Sequence, residues 1–212
     1  MTVAFLFDLD NTLYPADSGI TEALEQRMNA YVATVTGLDN PAAATLRQQY
    51  FHTYGTTLRG LQIHHHVDSE AYLETVHQLP IADCIRPNPA LVDRLTRLRA
   101  PFAIFTNSPH EHAVRVLHQI GFNEIFFPII DIRMMQFQPK PHPTAYQIAL
   151  DVIAQPASSV YLFEDTLHNL AYAHAIGMRT VYIGASSPSS LPTYVDASFT
   201  TAVDALDALM TF

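Results

Sequence analysis

Five short apolar runs limit the architectures open to this 212-residue chain. They lie at 3–7, 102–105, 126–130, 160–163 and 180–183. Each is hydrophobic almost throughout, whereas a strand with one wet face would alternate. Strands buried on both faces of a parallel sheet read this way. Helical patterns separate most of the runs. Asn88 is placed to cap a helix with Pro89 at its first position, and Leu91, Leu95 and Leu98 line one face. Ser108-Pro109-His110-Glu111 has the order of an N-cap, a first-turn proline and a capping-box acid, and Gly121 stops that helix. Pro143 opens another helix through Ile153, and Thr166 is placed to cap one that ends before Gly177. Strand and helix in alternation imply βαβ units. The expected fold class is α/β, with a doubly wound, Rossmann-like parallel sheet.

The alternation breaks once. Tyr14 is followed by the turn-rich stretch Pro15-Ala16-Asp17-Ser18-Gly19, and the chain from there to 85 is helical in pattern. Ile20, Leu24, Met28, Tyr31, Val32 and Val35 fall on one helical face. A second helix is expected at about 41–54 and a third from near Asp68. Residues 15–85 therefore read as an all-helical cap inserted after the first strand and hinged at two turn-rich crossings. Residues 1–14 and 86–212 read as the α/β core.

Composition narrows the partners. A formal charge of −9 without any basic block argues against nucleic acid and against an anionic membrane surface. Small phosphorylated metabolites stay open, because they need only local positive groups. Cys84 is the single cysteine, so no internal disulfide can form, which fits a reducing compartment. The first residues lack a basic segment followed by a long apolar one, and no run approaches the ~20 residues that span a bilayer. The expected location is cytoplasmic. The sequence leaves the oligomeric state open. Ten of the eleven basic residues are arginine; the eleventh, Lys140, is the only lysine.

In a doubly wound sheet, ligands bind outside the carboxyl ends of the strands. Asp8-Leu9-Asp10-Asn11-Thr12 follows the first run and Thr106-Asn107-Ser108 the second. Lys140-Pro141 comes after the third, and Glu164-Asp165 with Asn169 after the fourth. Together they suit phosphoryl transfer through an acyl phosphate. Asp8 would attack phosphorus, and Asp10 would protonate the leaving alkoxide and later deprotonate water. The Thr106 hydroxyl and the amides of Asn107 and Ser108 would hold phosphate oxygens near a helix start. Mg²⁺ would take oxygens from Asp8, from Asp10 through its backbone carbonyl, and from Asp165. The cation and Lys140 would offset repulsion between phosphate and nucleophile.

These four stretches resemble the motifs of the haloacid dehalogenase superfamily of phosphohydrolases. The resemblance implies that Asp8 is nucleophile, Asp10 acid/base, Thr106 and Lys140 phosphate ligands, and Asp165 a metal ligand. It makes Asn169 a supporting residue and the insertion a type-1 cap. Glu164 stands where the superfamily commonly has aspartate, and its greater length suggests a supporting place. The opening Phe7-Asp8-Leu9-Asp10-Asn11-Thr12-Leu13-Tyr14-Pro15 is further similar to fungal and plant pyrimidine 5′-nucleotidases. So are the stretch Tyr54-Gly55-Thr56-Thr57-Leu58-Arg59-Gly60-Leu61, followed by His65 and Val67, and the exit from Leu79-Pro80 to Ile85-Arg86-Pro87. A nucleoside 5′-monophosphate is the implied substrate, with Arg59 and His65 as candidate contacts.

The bland readings stand beside these. His64-His65-His66 reads as a solvated loop, since consecutive histidines cannot all face one ion. Cys84 reads as a small packed residue near the hinge, and Met134-Met135 as loop packing. Other activities of the same superfamily remain: a phosphoglycolate or sugar-phosphate phosphatase, or a phosphomutase. A dehalogenase does not need Asp10 or Asp165. A phosphonatase needs an imine-forming lysine, and the insertion contains none. The alternative outside catalysis is a phospholigand-binding module, which would have no use for both Asp8 and Asp10. A lysine-directed reagent should strike only Lys140 and the α-amino group.

Overall fold

The computed structural model describes residues 3–184 and 191–209. Six strands form one sheet in the order β3-β2-β1-β4-β5-β6. They are β1 (Ala4–Phe7), β2 (Phe102–Phe105), β3 (Ile129–Ile130), β4 (Val160–Glu164), β5 (Arg179–Ile183) and β6 (Ala197–Phe199). Every neighbouring pair is parallel. The expected doubly wound sheet is present, and β1 and β2 are buried at every position.

Strand β1 sits in the middle. Phe7 is in register with Ile104 on one side and Phe163 on the other. The Asp8 N–H donates to the Phe163 carbonyl at 2.9 Å and carries the ladder one residue beyond the strand. Chain order reverses here, with β2 and β3 on one side of β1 and β4 to β6 on the other. A crevice opens at the carboxyl end of such a reversal, and Asp8 emerges into it.

All elements between β1 and β2 are helical. After a single 3₁₀ turn (Ala16–Ser18) come α1 (Ile20–Thr36), α2 (Asn40–Tyr54), α3 (Thr57–His65), α4 (Ser69–Val76), α5 (Ile81–Cys84) and α6 (Pro89–Arg97). The rest of the chain adds α7 (His110–Ile120), α8 (Pro143–Ile153), α9 (Leu167–Ala175) and α10 (Ala202–Leu209). Alternate residues of β1 feed two cores, as a pleated strand requires. Phe5 and Phe7 pack with Leu91, Leu95, Val116 and Leu206 from α6, α7 and α10. Ala4 and Leu6 share the other core with Tyr146 and Leu170, and also with Val32, Tyr50, Leu61 and Tyr72 of α1 to α4. In α1, Ile20 is buried in the first core and Val32 in the second, against which Leu24, Met28, Tyr31 and Val35 also pack.

Local chemistry explains most helix ends. Asp39, Thr56, Asp68 and Asn88 each accept a first-turn amide at the start of α2, α3, α4 and α6. Gly121 ends α7 with φ 124°. Ser108 departs from expectation. It does not cap α7, because its hydroxyl is turned to Asp10; the Asp131 carboxylate accepts the His110 N–H at 3.0 Å instead.

Three further corrections concern extent. The run at 126–130 yields a strand only at its last two residues. Pro128 has no N–H to give the ladder, and Phe126 is 61% exposed. His64 and His65 are not in a loop: they form the last turn of α3, where Tyr54 and Tyr50 hydroxyls meet their Nε2 atoms at 2.7 and 2.9 Å. Strand β6 and helices α3, α5 and α10 add to the elements foreseen. Cys84 is partly buried, and its sulfur lies 3.8 Å from where a Cβ on Gly19 would stand, so the chain enters and leaves the helical stretch at one spot. Met135 is fully buried, as loop packing requires, while Met134 is exposed. No described helix is long and apolar enough to cross a membrane.

Candidate active site

A cavity of about 580 Å³ opens at the carboxyl ends of β1, β2 and β4. Asp8, Asp10, Thr106, Asn107, Lys140, Glu164, Asp165 and Asn169 all line it. Residues far apart in sequence meet here because each follows a strand of one sheet.

Lys140 is the hub. It is 2% exposed, and its ammonium has three donors. All three are used: Asp8 Oδ1 at 2.8 Å, Glu164 Oε2 at 2.7 Å and the Phe105 carbonyl at 2.7 Å. Burial works against its charge, but Asp8 and Glu164 outweigh burial and raise its pKa. Asn107 fixes the backbone beneath it. The Asn107 amide donates to the Lys140 carbonyl at 3.2 Å and accepts the Lys140 N–H at 2.8 Å. A reagent aimed at lysine therefore meets a charged, enclosed amine.

Two carboxylates share this ammonium, and a third stands beside them. Asp8, Glu164 and Asp165 each offer an oxygen within 4.8 Å of the others. Burial and the nearby Glu164 push Asp8 up to about 7 against the pull of Lys140. Burial likewise moves Glu164 up to about 7, and burial with the Asp8 charge raises Asp165. An all-oxygen, anion-rich cluster fits a hard divalent cation such as Mg²⁺. Glu164 is more central than a supporting residue would be, since it shares Lys140 with Asp8 and also accepts the Thr166 N–H at 3.1 Å. Asn11, in the left-handed region at φ 63°, donates to Asp165 at 3.3 Å, and Thr12 donates to Asp8 Oδ2 at 3.0 Å.

Asp10 lives in a different environment. Its carboxylate lies outside that cluster. It accepts from Ser108 Oγ at 2.6 Å and from the Tyr14 hydroxyl at 2.7 Å. His112 Nε2 lies 2.8 Å from Oδ1. Burial alone would raise its pKa, but His112, Ser108 and Tyr14 together hold it well below the usual carboxylate range. Two acids two residues apart are thus driven in opposite directions, a pattern that separates distinct proton roles.

Thr106 is buried, and its hydroxyl accepts the Ser108 N–H at 3.0 Å. Asn169 is buried beside the same cavity. Arg59 and His65 are not brought to it. Leu58, Gly60 and Leu61 form the buried side of α3, which turns Arg59 toward Gln62 at 3.5 Å and His65 toward Tyr50. The helical side of the cavity is made by other residues, among them Arg47, Phe51, Tyr72 and His77. Tyr14 and His112 carried a readable signal, since each lies one helical turn beyond a motif residue, Asp10 and Ser108. Arg47 and Tyr72 carried none, because only the packing of α2 and α4 against α1 turns them inward.

The chain is similar to phosphate metabolism protein 8 of Saccharomyces cerevisiae, 26% identical over 192 residues. That match takes in 84% of this chain and 60% of the yeast protein, so the chain spans about three fifths of its relative's length. Its fold is similar to that of a HAD phosphatase from Thermococcus onnurineus, with TM-score 0.65 and 17% identity over 98% of this chain and 97% of the other. An L-2-haloacid dehalogenase from Xanthobacter autotrophicus is similar too, at TM-score 0.61 and 16% identity over 99% and 98% of the two chains. The signature of haloacid dehalogenase-like hydrolases matches residues 2–177, which takes in every motif residue of the cavity, and the chain belongs to that family.

Proposed function

We propose that this protein is a Mg²⁺-dependent phosphomonoester hydrolase that works through an aspartyl phosphate, with nucleoside 5′-monophosphates as its substrate class. The observation that carries the reading is the second acid. Asp10 sits beside Asp8 with three donors aimed at it, an arrangement that displacement of halide by a single carboxylate does not need.

An Asp8 oxygen attacks phosphorus while the bond from phosphorus to the ester oxygen breaks. The leaving alkoxide takes a proton from Asp10. Asp10 is ionised at rest, and the negative charge of an arriving phosphate raises its pKa, so the proton is taken up with substrate. Water then attacks the acyl phosphate, Asp10 accepts its proton, and inorganic phosphate leaves with Asp8 restored. Lys140 holds the Asp8 oxygen in place and balances charge at the reacting centre. Thr106 and the amides of Asn107 and Ser108 receive phosphate oxygens. Asp8, Asp165 and Glu164, with the Asp10 carbonyl, would hold the cation, which supplies charge neutralisation at the phosphoryl oxygens. The helices over 15–85 act as a cap that encloses the organic part of the substrate. The yeast relative's name agrees with phosphate chemistry, and the nucleotide reading draws on the similarity of the opening motif and the Tyr54–Leu61 stretch to nucleotidases.

Phosphate release from a panel of phosphate esters, with Mg²⁺ and with chelator, tests this. Asp8→Asn should lower turnover by on the order of 10³-fold or more while the thermal melt stays cooperative. Release that never exceeds a metal-free blank would overturn the hydrolase reading. A preference for sugar phosphates over UMP and CMP would overturn the nucleotide part alone.

A further inference from the structure

The cavity is lopsided in charge. Five acids are among the described residues that line it, whereas Lys140 and Arg47 are the only lysine or arginine among them. Both cations are engaged. The Lys140 donors go to Asp8, Glu164 and the Phe105 carbonyl. Arg47 donates from Nε to Asn29 at 2.8 Å, and its Nη2 meets Glu25 at 3.0 Å. His77 adds no charge at neutral pH, since burial keeps it neutral. His52 and His168 line the cavity from exposed positions.

Glu25 and Arg47 are unequal partners. The Glu25 side chain is 48% exposed and that of Arg47 only 9%. The acid is thus the member that an entering molecule meets, while the guanidinium is largely covered. The place of Glu25 along α1 sets what it can meet. Thr21 donates to Asn11 at 2.8 Å, and Asn11 donates to Asp165 at 3.3 Å, so Thr21 marks the end of α1 nearest the carboxylate cluster. Glu25 follows Thr21 by four residues, on the same helical face and about 6 Å further along the axis. The part of a substrate that extends a few bonds beyond its phosphate along this wall comes beside Glu25. A neutral group is tolerated there. A carboxylate or a second phosphate would face a negative charge, with the neighbouring guanidinium already paired.

We propose that Glu25 excludes substrates whose organic part carries a second negative charge, by presenting its own charge to the cavity and keeping Arg47 from recruiting an anion. This rests on the phosphomonoester reading above, whatever the ester, and adds a residue that selects among substrates.

The test uses phenyl phosphate and 4-carboxyphenyl phosphate, which share the ester bond and differ by one carboxylate on the far side of the ring. kcat/KM is measured for both in the wild type, Glu25→Gln and Glu25→Asp. The wild type should favour phenyl phosphate by about tenfold or more, chiefly through KM. Glu25→Gln removes the charge and frees Arg47, so the preference should fall by about tenfold, as for one hydrogen bond between charged groups. Glu25→Asp keeps the charge and should keep the preference. An ester turned over too slowly to follow is scored by its inhibition constant against the fastest ester of the panel above. A preference unchanged in Glu25→Gln, or lost equally in Glu25→Asp, would overturn the filter while the hydrolase reading stood. So would a wild type that prefers the carboxylate. Should a variant not fold, the wild type decides alone: 1 M salt should shrink its preference, and a preference that salt leaves unmoved would overturn the filter. A wild type that releases phosphate from no ester would overturn the hydrolase reading and this inference with it.

Discussion

Lys140 shows how much one side chain can carry. Its ammonium is shared by two buried carboxylates, Asp8 and Glu164, with Asp165 beside them. Lys140→Met should leave Asp8 and Glu164 facing each other unpaired, at about 3–5 kcal/mol of stability, read from urea unfolding at neutral pH. His77 offers a second residue-level test. Burial, then the nearby His112, lowers its pKa to about 4 from an ordinary 6.5. The folded protein keeps His77 neutral while the unfolded chain gains a proton below about 6.5, so stability falls as pH drops from 6.5 towards 4. The size is at most about 3 kcal/mol. In His77→Gln this component should vanish, and the stability difference between wild type and variant should grow from pH 4 to 6.5 and stay level above. A difference that is flat across that range would sink the assignment. Lys140 could be read because it is the only lysine and follows a strand. The partners of Asp10 could not, because Ser108 looks like a helix cap until the fold turns its hydroxyl toward the acid.

Helices α2 and α3 cross closely, and one glycine permits it. A Cβ on Gly60 would stand 2.2 Å from Tyr50 Cγ and 2.5 Å from its Cβ. Those atoms lie near the backbone and cannot swing away. Gly60→Ala gains helix propensity of about 1 kcal/mol, but overpacking of ~1–3 kcal/mol opposes it. The net expectation is a melting temperature lower by a few degrees, measured by calorimetry. A rise would mean that Tyr50 repacks freely. The same glycine helped to hide α3, since a helix with Gly60 at its centre and a histidine run at its end has weak local signals. Element existence was legible where apolar periodicity ran long, as in α1. It failed where a strand is three half-buried residues, as in β6, or where Pro128 cuts a good apolar run short.

At the scale of the molecule, the helical stretch is tied to the sheet layer by charge as well as by packing. Arg133, after β3, pairs with Glu70 at the start of α4 at 2.6 Å and with Glu111 at the start of α7 at 2.8 Å. These groups are partly exposed, so the network is worth about 1 kcal/mol or less. Arg133→Ala should lower the melting temperature slightly in dilute buffer and not at all in 1 M salt, where screening acts within about 3 Å. A loss that persists in high salt would mean that Arg133 acts through packing. The sequence conveyed the sheet and the strand-end motifs because both are local patterns. It did not convey which helices face the cavity, because that depends on how α1 to α4 pack together.

The central place of β1 has a consequence in time. During synthesis Ala4–Phe7 leaves the ribosome long before either neighbour. Its pairing with β4 must wait for about 150 further residues, roughly 10–30 s at ordinary translation rates. An apolar strand bearing the future nucleophile has two open edges until β2 emerges and one open edge until β4 does. Nascent chains stalled before Val160 should therefore lean on chaperones, and a chain cut short there holds Asp8 on an unfinished ladder.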